Sequence, residues 1–157
     1  MANWTIRAAT SKDAEALIRC IENAYAVYRP RIKDLPPVSE GIEDDIANHL
    51  VFVAVAGDRV MGGLVLVPKS DHAILANVAV DPGASGRGLG RALMEHAETE
   101  CRRLGLLDIH LSTHVDMPDN VRLYEHLGWR RIGTSGNKVN MARTLQKHPS
   151  ASGAIDI

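Results

Sequence analysis

The chain reads as an α+β domain, with a mixed antiparallel and parallel central sheet and helices on both of its faces. Three observations predict this. Three β-branched apolar runs between Leu50 and Val80 are separated by short turns, as in an antiparallel meander. The long amphipathic segment from Leu89 to Leu104 then sits between two strand-like runs, the arrangement of a right-handed parallel crossover. Finally, two runs around Ser135-Gly136-Asn137 close the chain as a hairpin.

Taken in order, Asn3 to Ala8 predicts a first strand. Thr10-Ser11-Lys12-Asp13 has the pattern of a capping box. Ala14, Leu17, Ile18, Ile21, Tyr25 and Tyr28 follow at helical spacing, with Pro30 as the stop and Asp34-Leu-Pro-Pro37 as a loop. A short helix spans about Gly41 to Asn48. Strands at Leu50 to Ala56 and Arg59 to Val67 meet at Gly57-Asp58, a two-residue hairpin signal, and Ala73 to Val80 is the third. The crossover helix puts Leu89, Leu93, Ala97, Cys101 and Leu104 on one face, and Gly105 caps it. Leu107 to Val115 is a strand. Met117-Pro118-Asp119 opens a helix with Val121, Leu123, Tyr124 and Leu127, which Gly128 stops. Trp129 to Gly133 and Lys138 to Leu145 form the closing hairpin. Residues 1–145 thus read as one domain and 146–157 as a flexible tail.

The 157 residues suffice for one hydrophobic core. A formal net charge of −1 gives no global field for nucleic acid or an anionic membrane, and no apolar run approaches the roughly 20 residues a membrane span needs. The first residues lack a signal-peptide core, so the cytoplasm is the expected compartment. Cys20 and Cys101 lie in helical patterns with apolar neighbours, as buried free thiols do.

Asn77 to Leu93 holds the chemistry. An apolar strand end (Val78, Ala79, Val80) runs into the turn Asp81-Pro82-Gly83, then into Ser85-Gly86-Arg87-Gly88-Leu89-Gly90-Arg91 and a helix. Glycine lets backbone N–H groups approach a ligand, and a helix N-terminus adds unpaired donors and partial positive charge, which together seat a phosphate. Arg87 and Arg91 add cationic side chains. The segment is neither a P-loop, since Arg91-Ala92 follow Gly90, nor a dinucleotide fingerprint, since Leu93 takes the last glycine's place. His110 and His114, four apart on a strand, could suggest a metal with Asp116, but zinc spacing motifs are absent and no metal is expected. Glu95-His96 and Glu125-His126 read as solvated helix faces.

Val78-Ala-Val-Asp-Pro82 followed by Ser85-Gly-Arg-Gly-Leu-Gly90 resembles the pyrophosphate-binding motif of the GCN5-related N-acetyltransferase (GNAT) superfamily. Asn120-Val-Arg-Leu-Tyr-Glu-His-Leu-Gly-Trp129 is similar to its later Asn…Leu-Tyr-Glu-x-x-Gly-Phe signature, and the element order matches from about residue 3 to 145. The resemblance implies acetyl-coenzyme A as acyl donor and a primary amine, expected on a small molecule, as acceptor. It further implies loop amides from Ser85 to Gly90 on the pyrophosphate, and backbone pairing of Val78 and Val80 with the pantetheine arm where the sheet splays. It places Asn120 on that arm and makes Tyr124 the acid that protonates the departing thiolate. Ser85 stands where the family usually has Gln or Arg, and Ala76-Asn77 where some relatives carry an acid.

No obvious general base appears, and magnitudes make that informative. Freeing a lysine-type amine at pH 7 costs roughly 4–5 kcal/mol, against about 1 kcal/mol for an α-amine. A low-pKa acceptor fits, or a water chain anchored by His72, Asn77 or His114. Tyr25, Tyr28, Arg29 and Arg31 are candidate acceptor contacts, the arginines suiting a carboxylate or phosphate. The alternatives are a protein or peptide N-terminal acetyltransferase and a non-catalytic acyl-coenzyme A sensor. A homodimer through a sheet edge is the expected mode of association if the chain self-associates.

Overall fold

The computed structural model describes residues 3–35 and 39–147. Pro36 and Pro37 of the expected loop, and the expected tail from residue 148 onward, lie outside the described residues. The elements are β1 (Thr5–Ala8), α1 (Ala14–Tyr25), α2 (Ile42–Asn48), β2 (Leu50–Ala56), β3 (Arg59–Pro68) and β4 (Ala73–Val80). They continue with α3 (Leu89–Arg103), β5 (Asp108–His114), α4 (Pro118–His126), β6 (Arg130–Ser135) and β7 (Lys138–Thr144), and short 3-10 turns cover Ser11–Asp13 and Pro82–Ala84. The strands form a seven-stranded sheet in the order β1-β2-β3-β4-β5-β7-β6. β4 and β5 pair in parallel, while β1–β2, β2–β3, β5–β7 and β6–β7 are antiparallel, so the mixed sheet expected from the sequence is present.

The chain divides into two units, residues 1–67 with 76–97, and residues 68–75 with 98–157. In the first, β2 and β3 are buried along nearly their whole length, as their continuous apolar runs require. Leu17, Cys20 and Ile21 of α1 pack with Ile42 of α2, with Val51, Val53 and Val55 of β2, and with Val60, Val65 and Ala79. Two glycines make this close packing possible. A Cβ at Gly63 would lie 2.5 Å from Leu17 Cδ1, and one at Gly62 would lie 3.0 Å from the Ala79 carbonyl oxygen and 3.2 Å from Leu93 Cδ1. The capping box forms: the Asp13 carboxylate accepts the Thr10 N–H at 2.7 Å and receives both Arg7 guanidinium nitrogens at 2.8 and 3.0 Å. The Arg7 bond is the main reason the Asp13 carboxyl is held down at about 2.

α1 ends at Tyr25, earlier than Pro30 suggests. A proline ring clashes with the carbonyl four residues back, here that of Ala26, and the chain turns through Tyr28 N–H on Tyr25 O and Ile32 N–H on Tyr28 O instead.

In the second unit, β5 pairs with β7 from Asp108↔Thr144 to His114↔Lys138, and with β4 at Ala73↔Ile109 and Ile74↔His110. Ile109, Leu111, Val121, Trp129, Val139 and Met141 are buried here. The buried Glu98 carboxylate of α3 accepts from Arg143 of β7 at 2.9 Å, and Arg143 also donates to Leu127 O at 3.0 Å. Gly105, at φ 75°, caps α3 as expected, with Leu106 N–H on Cys101 O. No helix among the described residues is long and apolar enough to cross a membrane. Cys20 and Cys101 are free and buried, and burial pushes each thiol up to about 11.

Candidate active site

In the first unit β4 delivers the chain to the glycine loop. Alternation buries Ala79 and leaves Val78 and Val80 half-buried. The Asp81 N–H bonds Met61 O at 2.9 Å, fixing the strand end to β3, and its carboxylate accepts the Gly83 N–H at 2.9 Å to fold the turn. The Ser85 hydroxyl donates to Pro82 O at 3.0 Å and its N–H to the same oxygen at 3.3 Å, so both Ser85 donors face the turn.

Ser85, Gly86, Arg87 and Gly88 are exposed, and α3 starts at the buried Leu89. Gly86 and Gly88 sit at φ 82° and 78°, a region that disfavours any side chain. Nothing lies within 4 Å of where their Cβ atoms would be, so a ligand can approach this backbone closely. The bond from Ala92 N–H to Gly88 O opens the helical ladder, which leaves Leu89 and Gly90 N–H without a carbonyl of their own helix. Arg87 and the exposed Arg91 add positive charge. Backbone N–H groups exposed at a helix N-terminus are donors of the kind that suit a phosphate.

The candidate acceptor residues gather at the end of α1. The Tyr25 and Tyr28 rings are 6.3 Å apart, and the Arg31 guanidinium lies over Tyr28 at 5.3 Å. Burial, then Tyr28, pushes the Tyr25 phenol up. Arg29 is exposed on the same turn. Asn77 is half-buried in β4.

In the second unit α4 carries Asn120 and Tyr124 one turn apart, on one face. Both are half-buried, and the Asn120 amide nitrogen is 4.0 Å from Met117 Sδ. Gly128, at φ 97°, reverses the chain so that Trp129 N–H bonds Tyr124 O at 2.9 Å. The Trp129 and Tyr124 rings meet edge to face, with centroids 5.9 Å apart. The histidines are engaged separately. His110 stacks on His72 at 4.5 Å, and His72 Nδ1 is 2.7 Å from Asp71, whose carboxyl that bond lowers. His114 is buried and its Nδ1 accepts the Asp116 N–H at 3.0 Å.

The Asp81 carboxylate folds the turn that the sequence predicts at Asp81-Pro82-Gly83. Sequence reasoning missed two residues around these groups. Gly62 admits Leu93 of α3, which only the packed structure reveals. His96 is not on a solvated face: it is half-buried, meeting the Phe52 ring edge-on at 4.4 Å.

A mixed sheet with a glycine loop between β4 and a long crossover helix is the setting that the resemblance to acyl-coenzyme A-dependent transferases implies. The Acetyltransferase (GNAT) family model matches residues 18–129. The chain is 33% identical over 109 residues to [ribosomal protein bS18]-alanine N-acetyltransferase of Salmonella typhimurium, covering 69% of this chain and 68% of that one. It is 32% identical over 98 residues to streptothricin acetyltransferase of Streptomyces lavendulae, covering 60% and 51%. The PaiA N-acetyltransferase of Thermoplasma acidophilum, solved in complex with coenzyme A, superposes with a TM-score of 0.82 at 19% identity, over 92% of this chain and 99% of that one. This chain therefore belongs to the GNAT family, and it is an acetyl-coenzyme A-dependent N-acetyltransferase.

Proposed function

We propose that this enzyme acetylates a weakly basic primary amine of a small molecule, by direct attack of the amine on the thioester in a ternary complex. The observation that carries the choice of amine is the composition of β4, Ala73-Ile-Leu-Ala-Asn-Val-Ala-Val80, which contains no carboxylate. Without a strong base on that strand, an acceptor that is already partly neutral at pH 7 has the advantage. An α-amine gives up about 1 kcal/mol for deprotonation where a lysine amine gives up roughly 4–5 kcal/mol.

Acetyl-coenzyme A supplies an activated acetyl group as a thioester. The chain's own residues bind, orient and move protons. The amides from Gly86 to Gly90 hold the pyrophosphate, with Ser85 shaping the turn and Arg87 and Arg91 adding charge. The backbone of Val78, Ala79 and Val80 aligns the pantetheine arm, and a strand N–H near Val78 polarises the thioester carbonyl as its oxygen gains charge. Asn120 contacts the same arm. Tyr124 gives its phenolic proton to the departing thiolate, a feasible transfer between groups whose ordinary pKa values are about 10 and 8.5. Asn77 anchors a water that takes the amine's proton. Tyr25, Tyr28, Arg29 and Arg31 meet the acceptor, and the arginines favour one carrying a carboxylate or phosphate. Holding both reactants together supplies much of the rate without a covalent enzyme intermediate.

The relative that acts on a ribosomal protein alanine supports a second reading, in which the α-amine is a peptide N-terminus. Thiol release from acetyl-coenzyme A separates the two. The amine panel comprises free amino acids, alaninamide, a lysine side-chain amine and a peptide beginning with alanine. Turnover greatest on small α-amines supports the first reading, and greatest on the peptide the second. Turnover greatest on the lysine amine overturns both. Tyr124→Phe is expected to lower kcat at least 10-fold with KM for acetyl-coenzyme A within 2-fold, and unchanged kcat removes Tyr124 from the mechanism.

A further inference from the structure

The Gly128-Trp129 corner does more than end α4. Trp129 is 3% exposed, and its ring meets the Tyr124 ring at 5.9 Å between centroids and 62° between planes. The same two residues are tied through their backbones, Trp129 N–H to Tyr124 O at 2.9 Å, across a glycine at φ 97°. A ring packed at this angle on its neighbour restricts the neighbour's side-chain rotation, and edge-to-face is one of the two geometries that aromatic pairs favour over a face-to-face sandwich. The indole N–H of Trp129 is buried with no hydrogen-bond partner among the described residues. Among the described residues no hydrogen bond of the indole sets its orientation, and the Tyr124 ring is an aromatic surface packed against it.

We infer that Trp129 is a positioning residue for the reaction: its ring clamps the phenol of Tyr124 in the orientation from which it delivers its proton. The inference rests on the assignment of Tyr124 as the acid and goes beyond it by naming the residue that aims it. A proton donor held out of line transfers its proton poorly, so loss of the clamp lowers kcat and leaves cofactor binding in place.

The test uses the full chain, with acetyl-coenzyme A and the panel amine the wild type turns over fastest. Trp129→Leu is expected to lower kcat about 10-fold, with KM for acetyl-coenzyme A changing less than 2-fold. Trp129→Phe, which keeps a ring and deletes the unpartnered N–H, recovers most of that loss. In the Tyr124→Phe background Trp129→Leu adds no further decrease, because the proton it aims is already gone. A readout without turnover comes from near-ultraviolet circular dichroism of the ligand-free protein. The band of the ring at position 124, taken as the difference on Tyr124→Phe, collapses in the Trp129→Leu background. Should Trp129→Leu not fold, Trp129→Met carries the same comparisons with nearer the native volume.

Failure of the two assignments is distinguishable. A wild-type kcat in Tyr124→Phe, or no turnover on any amine, overturns the acid assignment and this inference with it. A defective Tyr124→Phe beside a Trp129→Leu that keeps its kcat, adds its effect to that of Tyr124→Phe, or retains the tyrosine band overturns the clamp alone.

Discussion

Arg143 of β7 donates to the carboxylate of Glu98 in α3 at 2.9 Å, with the two side chains 14% and 7% exposed. Arg102 stands 3.9 Å from the other carboxylate oxygen, and Arg143 reaches on to Leu127 O. The pair ties α3, β7 and the end of α4 within the second unit. Removing one partner of a buried ion pair strands the other charge, so Arg143→Met is expected to destabilise the protein by about 3 kcal/mol. Glu98→Gln strands the Arg143 guanidinium instead but keeps an amide oxygen that can accept from it, so it should cost less. Denaturant unfolding measures both, and a cost below about 1 kcal/mol for Arg143→Met would show that water or Arg102 compensates fully.

Asp13 gives the fold a pH dependence whose sign follows from its lowered carboxyl. With a folded value of about 2 against roughly 3.9 unfolded, the stabilisation is complete above pH 4–5 and is lost as pH falls toward 2. Arg7 is 47% exposed, so solvent screening reduces the contribution to about 1 kcal/mol. Asp13→Asn is expected to cost about that much at pH 7 and progressively less between pH 4 and 2. A cost independent of pH over that range refutes the pairing as its source.

Gly63 and Leu17 form a third testable contact, this time steric. A Cβ only 2.5 Å from Leu17 Cδ1 and 3.1 Å from Phe52 O has nowhere to go but against the α1 side chain. Gly63→Ala should destabilise by about 1–3 kcal/mol, and Leu17→Val should recover part of that loss in the double variant. Strict additivity of the two would mean that strain lies elsewhere.

Gly88→Ala tests the phosphate seat. Its φ of 78° disfavours a side chain, which costs about 1 kcal/mol, while the surrounding space is open, so the fold survives. Affinity for coenzyme A, measured by calorimetry, should fall at least 10-fold. If the affinity is retained, this glycine does not meet the pyrophosphate.

Thiol accessibility checks the packing of both units at once. Cys20 is 2% and Cys101 0% exposed, and burial raises both thiols to about 11. A disulfide reagent at pH 8 should find neither cysteine in the native protein and both after unfolding. Rapid native labelling of either would show that the packing around it opens in solution.

Much of this was legible along the chain. Leu50 to Ala56 and Ala73 to Val80 run as strands over those very residues, because β-branched apolar runs bounded by turn residues have few other ways to bury themselves. Gly57 and Gly105 turn at φ 59° and 75°, conformations a sequence advertises by spending a glycine. The Ser85–Gly90 motif and the Asn120–Trp129 motif likewise named the family from local residues. Exposure was harder to read: Leu104 and Leu123 fit apolar faces by spacing yet are 41% and 52% exposed.

The sequence by itself determined the element types, their order and the glycine loop, since periodicity and turn chemistry are local properties. Only the tertiary structure decided that Glu98 is buried on Arg143, that β7 lies between β5 and β6, that His96 meets Phe52 and that Trp129 faces Tyr124. Each of those pairs a residue with a partner chosen by folding or by a chain reversal. Whether a charge or ring at a given spacing faces solvent or a neighbour is set by what packs there, and side-chain spacing along one element carries no record of it.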